Sequence, residues 1–261
     1  MPQMGGEDCG RASALYRMTI MLVSTLALLM GGCFIGGSGP IEHAGALETE
    51  NVSVPLGAAR SVHAHLQMAA GELRVSGGST QLVDGSITYN VPEWKPDLSY
   101  SVNGDQGALM IMQPESHQTT FGGVKYRWDL HFNNNVPLGL AVEMGAGDSH
   151  LNLAGVQLRN LSVKVGAGNA RIDLAGDWKQ DVDVEIEGGV GEVHLNLPRN
   201  MGVRVTVDGG LGSVNAPDFK RSGSEYTNDA YGKGGPAVDV TINGGIGQVY
   251  LRLGGARRGI V

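Results

Sequence analysis

The sequence predicts an all-β protein: a single-domain parallel β-solenoid of about seven coils, with a period of about 21 residues in its C-terminal half and irregular coils before it. Three observations predict it. First, between Gly139 and Leu253 one pattern recurs five times: apolar residues in alternation, a glycine, then apolar alternation again. The anchor glycines are Gly147, Gly168, Gly191, Gly212 and Gly247, spaced 21, 23, 21 and 35 residues apart. A fixed period in this range marks stacked supersecondary units. Second, the flanking alternation is strict and rich in β-branched residues, as in Leu161 and Val163 before Gly168 and Ala170 and Ile172 after it. Period two is the signature of strand, not helix. Third, the residues three and one before each anchor trade volume: Met144/Ala146, Val165/Ala167, Gly188/Val190, Gly209/Leu211 and Gly244/Ile246. Two inward positions sharing one slot would do this, because close packing penalises voids and overfilling alike.

The chain begins with a segment of a different kind. Arg11 and Arg17 precede an apolar run from Thr19 to Met30, followed by Gly31, Gly32 and Cys33. That run is shorter than the roughly 20 apolar residues a membrane-spanning helix needs, and has the length of a signal-peptide core. Small residues before a cysteine resemble a bacterial lipobox, so residues 1–32 are expected to be a lipoprotein-type export signal with Cys33 as the lipid attachment site. A plain secretory signal or a single-pass anchor is the alternative. Cys9 and Cys33 are the only cysteines. Cleavage before Cys33 leaves no free thiol, which excludes a disulfide framework and a thiolate metal site.

Residues 33–55 are expected to be a flexible tether, starting with the Gly-, Ser- and Pro-rich stretch Phe34–Pro40. The solenoid follows over 56–255, irregular in 56–135 and regular in 136–255, with a tail at 256–261. In the irregular part the anchored pattern recurs at Gly71 (Leu66, Met68, Ala70, Leu73, Val75) and at Gly107 (Tyr100, Val102, Leu109, Ile111). Asp84-Gly85 suggests a hairpin turn.

The runs WDLHFNNNVPLGLAVEMGAGDSHLNLAG (Trp128–Gly155), GELRVSGGS (Gly71–Ser79), ITYNVPEWKPDLSYSV (Ile87–Val102) and VKVGAGNARIDLAGDW (Val163–Trp178) resemble the toast-rack family. That family is related to the C-terminal domain of LiaF-like envelope-stress proteins, and the resemblance spans roughly residues 60–255. It implies a β-solenoid outside the cytoplasm and a link to envelope-stress sensing. The LiaF-like branch carries several membrane helices before this domain, where this sequence has one short segment; direct restraint of a sensor kinase is therefore not implied.

Candidate chemistry is sparse. Three residues after each anchor stand His150, Arg171, His194, Asn215 and Tyr250. The two histidines would lie two coils apart, roughly 10 Å, with Arg171 between them, so no metal site is expected. Glu143, Lys164, Glu187, Asp208 and Asn243, four before each anchor, read as a solvated face with cross-coil ion pairs. The acidic alternation Asp181, Asp183, Glu185, Glu187 is the outer side of one strand. The GGxG runs at Gly188, Gly209 and Gly244 lack the aspartate of a calcium nonapeptide and the Lys-Ser/Thr of a phosphate loop. No cofactor is expected, and a net charge of −7 argues against nucleic acid.

One asymmetry remains. Tyr89, Trp94, Tyr100, Phe121, Tyr126, Trp128 and Phe132 crowd beside the longest excursions. They either cover the end of the solenoid or form a binding platform, for which Trp94, Tyr126 and Trp128 are the candidates. The expected function is a lipid-anchored, extracytoplasmic, non-catalytic binding or scaffold protein of the cell envelope. Its partners would be the membrane through the lipid, and another envelope protein or a cell-wall polysaccharide. Oligomerisation through the solenoid ends is a further option. The alternative is a carbohydrate-active enzyme or polysaccharide-binding module on a β-helix scaffold.

Overall fold

The computed structural model describes residues 42–115, 120–121, 123–210 and 212–254. The export segment 1–32, Cys33 with its following residues to 41, and the tail 256–261 lie outside them. Contacts gather Pro40–Val261 into one compact unit.

The strands are β1 (Glu42–His43), β2 (Glu48–Val54), β3 (Ser61–Ser79), β4 (Val83–Tyr89), β5 (Asp97–Asn103), β6 (Gln106–Met112), β7 (Thr120–Phe121) and β8 (Tyr126–Asn133). The regular half supplies β9 (Leu138–Asn152), β10 (Leu158–Asp173), β11 (Val182–Pro198), β12 (Gly202–Gly209) and β13 (Gly212–Asn215). A small hairpin of β14 (Lys220–Ser222) and β15 (Glu225–Thr227) precedes β16 (Ala237–Gly254). Within the span read as tether, Glu48–Val54 is thus a strand, with Val52 and Val54 buried. Among the described residues no helix is long and apolar enough to cross a membrane.

Each long strand bends at its anchor glycine and belongs to the stack on both sides of the bend. The tiers are parallel and in register: Gly71 opposes Gly147, Gly147 opposes Gly168, and Gly168 opposes Gly191. Gly191 then opposes Gly247, and Gly247 opposes Gly212. The file expected five residues before the anchors forms as Val142, Val163, Ile186, Ile242 and Val207. Tier order departs from sequence order, however. β16 lies between β11 and the β12/β13 pair, and the β14–β15 hairpin folds antiparallel onto the outer edge of β12.

Burial explains the bend. Before it, odd offsets face inward, as Leu161, Val163 and Val165 do; after it, even offsets do, as Ala170 and Ile172 do. Both sheets can face one interior only if the alternation slips by one residue at the glycine. The slip needs a backbone that L side chains rarely adopt: Gly168 has φ +129°, and a Cβ there would lie 1.8 Å from the Gly147 carbonyl oxygen. Leu153, Leu174 and Leu197, six residues past their anchors and fully buried, fill the interior where the chain turns back.

Three sequence expectations need correction. The volume-trading pairs do not share an inward slot: Met144 and Val165 are buried, but Ala146 and Ala167 are exposed and Val190 is 60% exposed. The slip puts the second member on the convex side of the bend. Gly107 is no anchor. It opposes Val62, and β6 forms a hairpin with β5 while pairing only with the first half of β3. The turn is Gly104-Asp105, with Gly104 at φ +63°. β8 covers the second half of β3, so two separate strands replace one bent tier. Finally, Asp84-Gly85 lies inside β4, paired to β2 and β8, and makes no turn.

Gly168→Ala should therefore destabilise the protein by at least about 3 kcal/mol through combined strain and overlap, measured by urea unfolding. An unchanged midpoint would mean the tiers do not approach this closely at the bend.

Candidate functional site

Pro92 fixes the backbone entering a single 3₁₀ turn, Pro92–Trp94, in which the Trp94 amide donates to the Val91 carbonyl at 2.9 Å. Lys95 then holds the turn to β2 through an ion pair with Glu50 at 2.9 Å. Hydrogen bonding and charge from Lys95 keep the Glu50 carboxyl below its ordinary pKa, and Glu50 raises that of Lys95 in return. Both groups are solvent-exposed, so the clasp positions the turn more than it stabilises the fold.

The turn sets the Trp94 ring edge-on to Tyr126, centroids 5.6 Å apart. Tyr126 meets Trp128 at 5.9 Å and Tyr89 at 6.5 Å, both also edge-on. The three sequence candidates do come together, but they differ in access. Trp128 is fully buried and Tyr126 nearly so, with Tyr89 and Phe132 equally enclosed. These rings are core, and Trp128 has no surface to offer a ligand. Tyr126 Oη and Trp128 Nε1 are buried side by side without a well-formed hydrogen bond, and burial pushes the Tyr126 hydroxyl well above the ordinary tyrosine pKa against a weaker lowering by the Trp128 indole.

Trp94 alone of the three reaches a surface concavity. A trough of about 1040 Å³ runs across the outer face of the first-half sheet, bordered by Trp94, Gln67, Gln113, Glu143, Lys164 and Glu187. Gln67, Glu143, Lys164 and Glu187 are successive members of the file four residues before the anchors. Lys164 pairs with Glu187 at 3.3 Å, as the alternating signs suggested. Gln113 is fixed at the wall: its backbone amide donates to the Gln67 carbonyl at 2.8 Å, and its Oε1 accepts from the amides of Ala69 and Ala70 at 2.9 and 3.3 Å. Gln67 and Gln113 went unnoticed in the sequence; placing the Gly71 tier beside the Gly147 tier would have put Gln67 in this file.

Past the bend, β3 is clasped to β8 by side chains as well. Glu72 accepts from Arg74 and Arg127, each at 2.6 Å. Desolvation pushes its carboxyl pKa up, but the two arginines outweigh this and hold it below the ordinary value. On the outer second-half face, His150, Arg171 and His194 lie in register, with His194 stacked on Tyr250 at 4.4 Å. Among the described residues no three His, Cys, Asp or Glu groups are placed to hold a metal ion.

Trp128→Ala should cost about 3–5 kcal/mol in urea unfolding, as a large core ring, and Trp94→Ala under about 1 kcal/mol. Tyr126→Phe should leave the thermal midpoint unchanged or raise it, since the lost hydroxyl has no well-formed hydrogen bond. A clear loss of stability in Tyr126→Phe would show that the hydroxyl does have one.

Comparison with known proteins fits this geometry. The model of the N-terminal domain of toast_rack, DUF2154, matches residues 43–196, more than half of the chain. The crystal structure of a candidate cell adhesion protein from Clostridium sporogenes is 31% identical, with a TM-score of 0.78, over 80% of this chain and 100% of that one. Candidate adhesins from Bacteroides fragilis and Parabacteroides merdae are each 12% identical, with TM-scores of 0.30 and 0.32. They cover 81% of this chain and 100% and 86% of their own lengths, but likeness at that level carries no argument. No curated protein matches. With the family model matched over residues 43–196, its bent parallel tiers and a relative of known structure over 80% of its length, the chain belongs to the toast-rack family.

Proposed function

We propose that this protein is a non-catalytic adhesion module, lipid-anchored at Cys33 outside the cytoplasm, that holds a cell-envelope polysaccharide in the Trp94 trough. The observation that carries the reading is a half-exposed indole beside two amide side chains on a stiff sheet. Sugars are bound through the stacking of their apolar faces on aromatic rings and hydrogen bonds to amides and carboxylates, and Trp94, Gln113 and Glu143 supply these. The trough is open and long, which suits a polymer better than an enclosed small substrate. The stack beneath it gives rigidity, since each tier is hydrogen-bonded to both neighbours. Similarity to the Clostridium sporogenes protein, described as a candidate cell adhesion protein, supports the same reading.

The N-terminal features complete the proposal. A leader over residues 1–32 directs export, and acylation at Cys33 fixes the protein to the membrane, with the residues up to β2 as a short leash. More than one acyl chain gives firm retention. Envelope-stress sensing would be a consequence of occupancy of this surface.

Cys33→Ala should shift the protein from the membrane fraction to the soluble or unprocessed fraction; unchanged fractionation sinks the anchor. Trp94→Ala should reduce co-sedimentation with insoluble cell-wall material by about tenfold, on the order of 1–1.5 kcal/mol for one stacked ring, while leaving the fold intact. Equal sedimentation of parent and variant would remove the trough from consideration.

A further inference from the structure

Three residues before the anchors, the inward file reads, in spatial order, Met68, Met144, Val165, Gly188, Gly244, Gly209. Half of the interior under the bend is filled by large side chains and half by none. Val190, which trades volume with Gly188, points outward and does not fill the gap. A hollow of about 320 Å³ results, within the size range of small-molecule sites. It crosses three glycine tiers, roughly 14 Å at the strand spacing, and ends on Val165. Val193, Val249 and Val214 line one wall, Ile242 and Val207 the other, and Tyr226 of β15 stands at the end of the stack. The wall file after the bend is fully buried in the earlier tiers, at Ser149 and Ala170, but only half-buried at Val193, Val249 and Val214. Those inward valines face an accessible space.

The rim is polar. Arg221 sits there with its guanidinium over the Tyr226 ring at 5.6 Å. Its Nε donates to the Gly223 carbonyl at 3.0 Å, and among the described residues no carboxylate pairs with it. Asp208 and Glu192 border other parts of the rim.

We infer that this hollow binds a single unbranched aliphatic chain, that of a fatty acid, with the carboxylate at Arg221. The lining decides the class: valine and isoleucine side chains at the inward offsets run along the space, while the polar side chains that border it, among them Asp208, Glu192, Ser213 and Gln248, stand at outward offsets. The hollow adjoins the polysaccharide trough at Val165, Gly188 and Gly189 but includes neither Trp94 nor the trough's amides, so Trp94 and Arg221 variants separate the two readings.

The test uses the purified full-length chain carrying Cys33→Ala, which has no acyl chain of its own to compete. Dodecanoate and dodecanol are titrated calorimetrically. Dodecanoate should bind saturably at one site per chain, and Arg221→Gln should weaken it several-fold while leaving dodecanol unchanged. Gly188→Val with Gly244→Val should weaken both ligands at least about tenfold. Neither glycine has a neighbour within 4 Å of an added Cβ, so the double variant should keep or raise the thermal midpoint. Should it nevertheless unfold, Gly188→Ala with Gly244→Ala provides the same measurement with a smaller fill. Trp94→Ala should leave dodecanoate binding unaltered. No saturable dodecanoate binding, or equal binding by folded filled variants, would overturn the assignment; loss of dodecanoate binding in Trp94→Ala would move the site elsewhere.

Discussion

The whole architecture depends on how closely one backbone approaches the next at the bend. A Cβ at Gly147, Gly168 or Gly191 would lie within 2 Å of the carbonyl oxygen of the anchor in the tier below. No side chain can occupy that position, and the positive φ there is one that few L residues adopt. Once the backbone slips at this point, the strand keeps one inward face through a sharp change of direction. The two half-sheets can then enclose a common interior that the Leu153, Leu174 and Leu197 file closes. Glycine is thus spent on one backbone position per tier, and the apolar alternation on either side follows from it.

This is also why so much of the fold was legible. Each tier must repeat the same glycine and the same inward positions, so the repeats align residue for residue, and the files through Val163 and Leu195 could be read directly. The parts that were not legible are those the repeat does not constrain. Tier order is one: every bent strand offers an equivalent ladder, so nothing in the pattern says whether the Gly247 tier follows the Gly212 tier or precedes it. The slip is another. From Met144/Ala146 alone, period two carried through the glycine makes both residues inward, and only the backbone conformation reveals that the second turns out. Gly107 misled for a similar reason, since Gly104 begins a tight turn that alternation alone cannot distinguish from a bend.

The site follows the same division. The Glu143–Lys164–Glu187 face was legible because it belongs to a file. Trp94, Tyr126 and Trp128 were legible as a cluster but not by exposure, because composition shows that rings are crowded without showing which one the 3₁₀ turn lifts to the surface. Gln113 lies outside any repeat and is placed by hydrogen bonds to the backbone of β3, a contact with no signature in sequence.

The unexpected tier order has an electrostatic logic. Four residues before the anchors, stacking in chain order would put Glu187 directly beside Asp208, and like charges facing across a ladder are destabilising. With β16 inserted, Asn243 separates them, opposing Glu187 on one side and Asp208 on the other. The same insertion seats Tyr250 against His194, where the two rings stack; the Arg204–Asp239 ion pair at 2.8 Å is compatible with either order, since β12 and β16 are neighbours in both. Hydrogen-bond pattern cannot choose between the two orders, because both satisfy the backbone equally. Side chains on the outer face can. The surface files that look like solvated decoration therefore help to specify which tier sits next to which.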